Sequence, residues 1–278
     1  LSRTALAITE VIEQSKKNGR KSICFITGVP GAGKTLAGLN IANERHNFEA
    51  EEHAVFLSGN KPLIEVLIEA LARNEVEEKK DTENRITKSA ATTKAKAFIQ
   101  NIHHFRDDSL ASNEPPNEKV VVFDEAQRAW TMKQTASFMK QKKGISDFGM
   151  SEPDFLISVM DRHQDWAVII CLIGGGQEIN KGEAGLPEWF KALEDDYPHW
   201  NVYVSNKLTD DEYTMGSSLY SHIRENRTAI REDLHLGVSV RSFRAEKQSD
   251  FVKALLDNEP ERATSIFFEL KANYPIKF

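Results

Sequence analysis

The chain is poor in cysteine: among 278 residues only Cys24 and Cys171 occur. Both fall in apolar, strand-like runs, so buried small hydrophobes in a reducing compartment are expected, rather than a disulfide framework or a cysteine metal site. No apolar run approaches the roughly 18 residues of a membrane-spanning helix. The longest, 167–173, has the extent of a strand. A signal-peptide pattern is lacking as well, so a cytoplasmic location with no membrane partner is expected. Basic residues are in the minority, 36 Lys and Arg against 42 Asp and Glu, giving a net charge of −6 at pH 7. That balance argues against a globally basic nucleic-acid binder but leaves a local groove open, because phosphate contacts depend on where the cations lie. Apolar residues make up 40% of the chain, enough for one large α/β domain with or without a small appendage. The chain begins at Leu1 rather than Met, so further domains or protein partners beyond it are expected.

Apolar β-like runs recur at 22–27, 54–57, 120–123, 167–173 and 202–204, with helical segments between them. This alternation predicts a doubly wound parallel sheet flanked by helices, with ligands at the carboxyl ends of the strands. The segment 62–72 is one such helix, with Leu63, Val66, Leu67, Ala70 and Leu71 on a single face. Three polar stretches, 75–96, 106–119 and 140–153, read as solvated loops or insertions. In the last of them Lys140, Lys142 and Lys143 offer a phosphate-backbone contact as the alternative.

One pattern carries chemistry by itself. The run Gly28-Val29-Pro30-Gly31-Ala32-Gly33-Lys34-Thr35 fits G-x-x-x-x-G-K-[ST], follows a predicted strand and opens a predicted helix. Strand, glycine-rich loop and helix N-terminus aim backbone N–H groups and the positive end of the helix dipole at one place, where phosphate oxygens sit. Gly28, Gly31 and Gly33 shape the loop. Lys34 reaches the β- and γ-phosphates of ATP, and the Thr35 hydroxyl is a Mg²⁺ ligand.

The third strand ends in Val122-Phe123-Asp124-Glu125-Ala126-Gln127. Adjacent carboxylates there suit Asp124 to the metal and Glu125 to polarising the attacking water. The fourth strand ends in Gly174-Gly175-Gly176-Gln177, a sharp turn that brings Gln177 toward the same sheet edge, either as a γ-phosphate sensor or as a solvated glutamine.

These elements, in this order, resemble the first RecA-like domain of superfamily 1 helicases, and more specifically the bacterial Schlafen group 3-like DNA/RNA helicase domain family. The residues that carry the resemblance are the phosphate loop 28–35, Ser58-Gly59-Asn60-Lys61-Pro62-Leu63, Asp124-Glu125-Ala126-Gln127-Arg128-Ala129-Trp130, Gly174-Gly175-Gly176-Gln177-Glu178-Ile179, Gly182-Glu183-Ala184-Gly185-Leu186-Pro187-Glu188-Trp189 and Ser239-Val240-Arg241-Ser242.

The resemblance implies a RecA-like P-loop ATPase domain over 1–240. It implies a helical extension, or the start of a truncated second RecA-like domain, over 241–278. It makes Gln177 the γ-phosphate sensor and Arg241 an arginine directed at the γ-phosphate, with an interdomain or surface ion pair as the alternative for Arg241. Asn60 and Lys61 then contact a single strand of DNA or RNA, and Phe105 is either a base-stacking side chain or part of the core. The chain departs from superfamily 1 at Gly175, where an acid is usual. The function implied is an ATP-hydrolysing, helicase-like domain of a larger nucleic-acid-acting protein, in defence against foreign nucleic acid. The rivals are a regulatory switch ATPase and a nucleotide-binding scaffold acting through protein partners.

Overall fold

Residues of the central strands are mostly apolar on both faces, and the chain buries both. The computed structural model describes residues 2–45, 53–80, 82, 84–175, 185–210, 227–238 and 245–271. In chain order the elements are α1 (Ser2–Asn18), β1 (Lys21–Gly28), α2 (Lys34–Arg45), β2 (His53–Ser58), α3 (Lys61–Glu78), α4 (Lys88–Phe98), β3 (Ile99–Asn101) and α5 (Ile102–Ala111). There follow β4 (Glu118–Phe123), α6 (Met132–Phe138), α7 (Glu152–Asp161), β5 (Ala167–Leu172), α8 (Gly185–Asp195), β6 (Asn201–Ser205), β7 (Thr228–Arg231), β8 (His235–Leu236), α9 (Ala245–Leu256) and α10 (Pro260–Lys271).

The sheet order is β3-β2-β4-β5-β1-β6-β7, with every pair parallel and β8 joining the carboxyl end of β1. Alternation along each strand divides the core in two. Phe25, Val121, Phe123, Ile169 and Cys171 pack on one side with Trp189 and Phe190, while Ile26, Val120, Val122, Ile170 and Leu172 pack on the other with Ile8, Ile12 and Ile41. A run buried on both faces loses polar alternation, which is why these strands read as continuous apolar segments. Cys24 and Cys171 are both buried and unpaired, and burial pushes the Cys24 thiol up to about 12, so it behaves as a small hydrophobe.

One of the expected loops proves largely helical, and a second begins in a helix. The stretch 75–96 continues α3 to Glu78 and then builds α4, capped by the Thr87 hydroxyl accepting from Ala90 N at 3.2 Å. Ala91 and Ala95 bury the inner face of α4, and the ion pairs Glu69–Lys88 at 2.7 Å and Glu75–Lys94 at 2.7 Å lace it to α3. The charges that suggested solvation belong to the outer faces of a helical hairpin. The stretch 106–119 begins inside α5, and only 112–117 lies between elements. In the third stretch Lys143 pairs with Asp107 at 2.7 Å. The strands β3, β7 and β8 are short additions that the sequence pattern did not signal. At the far end α9 and α10 pack on each other through Phe251, Ala254, Ala263 and Leu270.

Candidate functional site

The carboxyl edge of the sheet gathers most of the expected residues. Strand β5 lies between β1, which carries the phosphate loop, and β4, which carries the carboxylates, so three strand ends converge on one place. Within the loop Gly31 and Gly33 have φ of 78° and 87°, a conformation that favours glycine. Ala32 N donates to Val29 O at 3.0 Å and closes the turn, and α2 starts at Lys34. Lys34 Nζ donates to Gly28 O at 2.7 Å, so its charge is held across the mouth of the loop.

Strand β8 braces that loop from outside. Val29 N donates to Leu236 O at 3.0 Å, and a Cβ placed on Gly28 would lie 2.8 Å from Leu236 Cβ and 3.0 Å from Leu236 O. Gly28 is therefore required by close approach of a neighbouring backbone. Beneath it the Thr27 hydroxyl bonds Ser205 Oγ at 2.6 Å and His235 Nδ1 at 2.9 Å, tying β1 to β6 and β8.

Thr35 and Asp124, far apart in sequence, meet: Thr35 Oγ1 donates to Asp124 Oδ1 at 3.3 Å. Asp124 is 4% exposed, its backbone N donates to Leu57 O at 2.9 Å, and its Oδ2 has no hydrogen-bond partner. A buried, unpartnered carboxylate oxygen beside a threonine hydroxyl at a phosphate loop suits Mg²⁺, which takes one or two protein oxygens together with phosphate oxygens and water. Burial, reinforced by the neighbouring Glu125 charge, pushes the Asp124 carboxyl up to about 6. In nucleotide-free, metal-free protein the folded state therefore holds this proton where the unfolded chain, with an ordinary carboxyl near about 3.9, has released it. Asp124 contributes stability below that unfolded value and loses the contribution as pH rises through about 6. Thermal melting of Asp124→Asn beside the wild type across that range should show a shallower loss for the variant. Parallel curves would place the titrating group elsewhere.

Glu125 adopts φ 53° and ψ 46°, left-handed backbone that costs energy for a non-glycine residue and concentrates at functional sites. Gln127, 5% exposed, holds it there: its Nε2 donates to Glu125 Oε2, and its Oε1 accepts from Gly174 N at 3.0 Å. The end of β4 is thus bonded to the turn after β5. Trp189 fixes the turn after β4, donating from Nε1 to Ala126 O at 2.9 Å while its ring meets Phe25 edge-on at 6.2 Å. Gln127 and Trp189 stood in the motifs quoted from the sequence, but their structural task depends on contacts across the sheet that spacing does not encode.

Gln177 and Arg241 lie outside the described residues. Asn60 is the N-cap of α3, its Oδ1 accepting from Leu63 N at 3.2 Å, and it faces a cavity beside Asp124. Lys61 is exposed at the start of the same helix, 3.9 Å from Glu65. Of the two readings for Phe105 the base-stacking one is corrected in favour of the core: the ring is 4% exposed and packs with Ile102 and Phe123. Aromatic residues that line the cavity include His103, Phe123 and Trp130. Among the described residues no group of three or more His, Cys, Asp or Glu side chains stands where it could hold a metal, and no helix is long and apolar enough to cross a membrane.

Comparison with known proteins gives one strong likeness. No curated protein matches the sequence significantly. Solved structures of low similarity include the Hef helicase domain of Pyrococcus furiosus, at 20% identity and TM-score 0.37, and a DnaB-like replicative helicase studied with primase, at 15% identity and TM-score 0.30. The first likeness covers 73% of this chain and 38% of that one, and the second covers 68% of this chain and 52% of that one. The chain thus spans about half or less of either, and neither likeness is close enough to bear on function. The family model for Schlafen group 3, DNA/RNA helicase domain, by contrast, matches residues 21–278, from the first residue of β1 onward. With the phosphate loop and the Asp124–Glu125 pair assembled at one sheet edge, the chain belongs to the Schlafen group 3 DNA/RNA helicase domain family.

Proposed function

We propose that this chain binds Mg²⁺·ATP and hydrolyses it as the helicase-like domain of a larger DNA- or RNA-acting protein. The observation that supports this most is the contact of Thr35 with Asp124 at 3.3 Å, beside Lys34 and next to Glu125. When bound, Mg²⁺ neutralises charge on the β- and γ-phosphates and orients them. Thr35 and Asp124 are the side chains that hold it. Lys34 exchanges its bond to Gly28 O for phosphate oxygens. Glu125 takes the proton of the attacking water, and Gln127 keeps that carboxylate from turning away. Gln177 senses the γ-phosphate, and Arg241 stabilises charge that peaks in the transition state.

The testing experiment is phosphate release from ATP with and without single-stranded DNA or RNA. Turnover raised by strands supports the proposal. Turnover indifferent to strands would favour a regulatory switch ATPase, and no turnover a nucleotide-binding scaffold. Arg241→Ala should lower kcat and leave ADP affinity nearly unchanged, because transition-state charge has no counterpart in bound ADP. A variant with wild-type kcat would make Arg241 structural. A motor needs two domains that close on ATP, so strand unwinding and a place in defence belong to the larger protein.

A further inference from the structure

Beside the carboxylate pair and the end of the phosphate loop, the sheet edge opens into a cavity of about 450 Å³, within the size range of small-ligand sites. Thr35, Asp124 and Glu125 form one wall, and His103, Trp130 and Glu152 stand among its other lining residues. The aromatic side is a cluster: the His103 and Trp130 rings lie 5.2 Å apart, tilted by 44°, and His103 lies nearly parallel to Phe138 at 5.8 Å.

Glu152 is the unusual member. It is 5% exposed, its Oε2 accepts from Trp130 N at 3.0 Å, and its own N donates to Trp130 O at 3.0 Å, so backbone bonds fix its position. Its Oε1 has no hydrogen-bond partner. A buried carboxylate oxygen left unpaired is costly unless something binds there. Burial pushes the Glu152 carboxyl up, and the nearby Arg106 guanidinium offsets this only in part: it donates no hydrogen bond to Glu152 and lies over the Phe138 ring at 4.3 Å.

We propose that this cavity is a nucleobase pocket, in which one unstacked base of a single strand lies against Trp130 and His103 and donates its exocyclic amine to Glu152 Oε1. The proposal rests on the nucleic-acid function above and adds a base preference to it. Cytosine offers an amine at N4 where uracil and thymine present the O4 carbonyl, which the carboxylate repels. Aromatic stacking supplies affinity without choosing the base, and Glu152 supplies the choice. Since Glu125 shares the cavity wall, an occupied pocket presses on the residue that activates water.

The test measures binding of labelled oligo(C) and oligo(U), and of oligo(dC) and oligo(dT), by anisotropy without nucleotide. Wild-type protein should prefer the cytosine strand about tenfold in each pair. In Glu152→Gln the amide oxygen keeps the Trp130 N–H and the amide NH₂ turns to the base, so the preference should reverse toward uracil and thymine. His103→Ala should weaken all strands about tenfold without changing their order. The wild-type comparison and His103→Ala carry the test even if Glu152→Gln fails to fold. Equal binding of cytosine and uracil strands, or a preference untouched in a folded Glu152→Gln, would overturn the pocket. CMP binding as tightly as the strand would assign the site to a free nucleotide and overturn the strand as occupant. ATPase activity is read separately: strand-stimulated turnover without base preference removes the pocket alone, and base preference without turnover removes the ATPase proposal alone.

Discussion

Lys34→Ala and Glu125→Gln should fail in different ways. Lys34 Nζ is bonded across the mouth of the phosphate loop, at 2.7 Å from Gly28 O, and in the proposed function its ammonium is the charge that phosphate oxygens meet there. Losing a charge-assisted hydrogen bond of about 1.5–3 kcal/mol should weaken ATP binding by about 10- to 100-fold. Glu125→Gln keeps the size of the side chain and loses its basicity. It should bind ATP as the wild type does and slow hydrolysis by about 10²- to 10⁴-fold. Isothermal titration and a phosphate-release assay on both variants separate the two effects. If Glu125→Gln lost affinity as far as Lys34→Ala does, Glu125 would be a binding residue and the base would have to be sought elsewhere. Gln127→Ala should act as a milder Glu125→Gln, with affinity kept and kcat lowered less, because it frees Glu125 without removing it.

Trp189→Ala should be the most destabilising single change at the site's foundation. The ring is fully buried, meeting Phe25 at 6.2 Å and Phe123 at 5.6 Å, and its indole N–H satisfies Ala126 O. Removing a buried Trp costs about 3–5 kcal/mol, a large share of the roughly 5–15 kcal/mol that holds a domain folded. Urea denaturation should show the midpoint falling sharply. Trp189→Phe keeps most of the apolar contact and leaves Ala126 O unpaired, so it should cost about 1–3 kcal/mol. Because Ala126 follows Glu125, the Phe variant should also lower kcat at unchanged ATP affinity. A Trp189→Ala midpoint equal to the wild type would mean that α8 does not anchor the turn.

The strands β1, β2, β4, β5 and β6 were all legible, because a strand buried on both faces must be apolar throughout and nothing in a helix surface mimics that here. The short strands β3, β7 and β8 were not. Ile99–Asn101 and Thr228–Arg231 are edge segments whose partners, β2 and β6, come from distant sequence, and His235–Leu236 is strand only because β1 lies beside it. The 75–96 stretch misled for a related reason, since charge on the outer faces of a helical hairpin has the composition of a loop.

Sequence alone determined the phosphate loop and the Asp124–Glu125 pair, because their chemistry depends on residue types at short, fixed spacing on a strand end. Tertiary structure decided what distant chain segments do to one another. Phe105, next to two histidines in an unremarkable run, went into the core, while Trp130 and His103 took the cavity wall. Gln127 became the link between Glu125 and Gly174, and Leu236 the brace that makes Gly28 obligatory. Glu152, in sequence an ordinary acid at a helix start, became a buried carboxylate with one unpaired oxygen, on the same cavity as Asp124 and Glu125. Burial and hydrogen-bond satisfaction are properties of the packed sheet and its helices, and no local pattern fixes which side of a fold a residue will face.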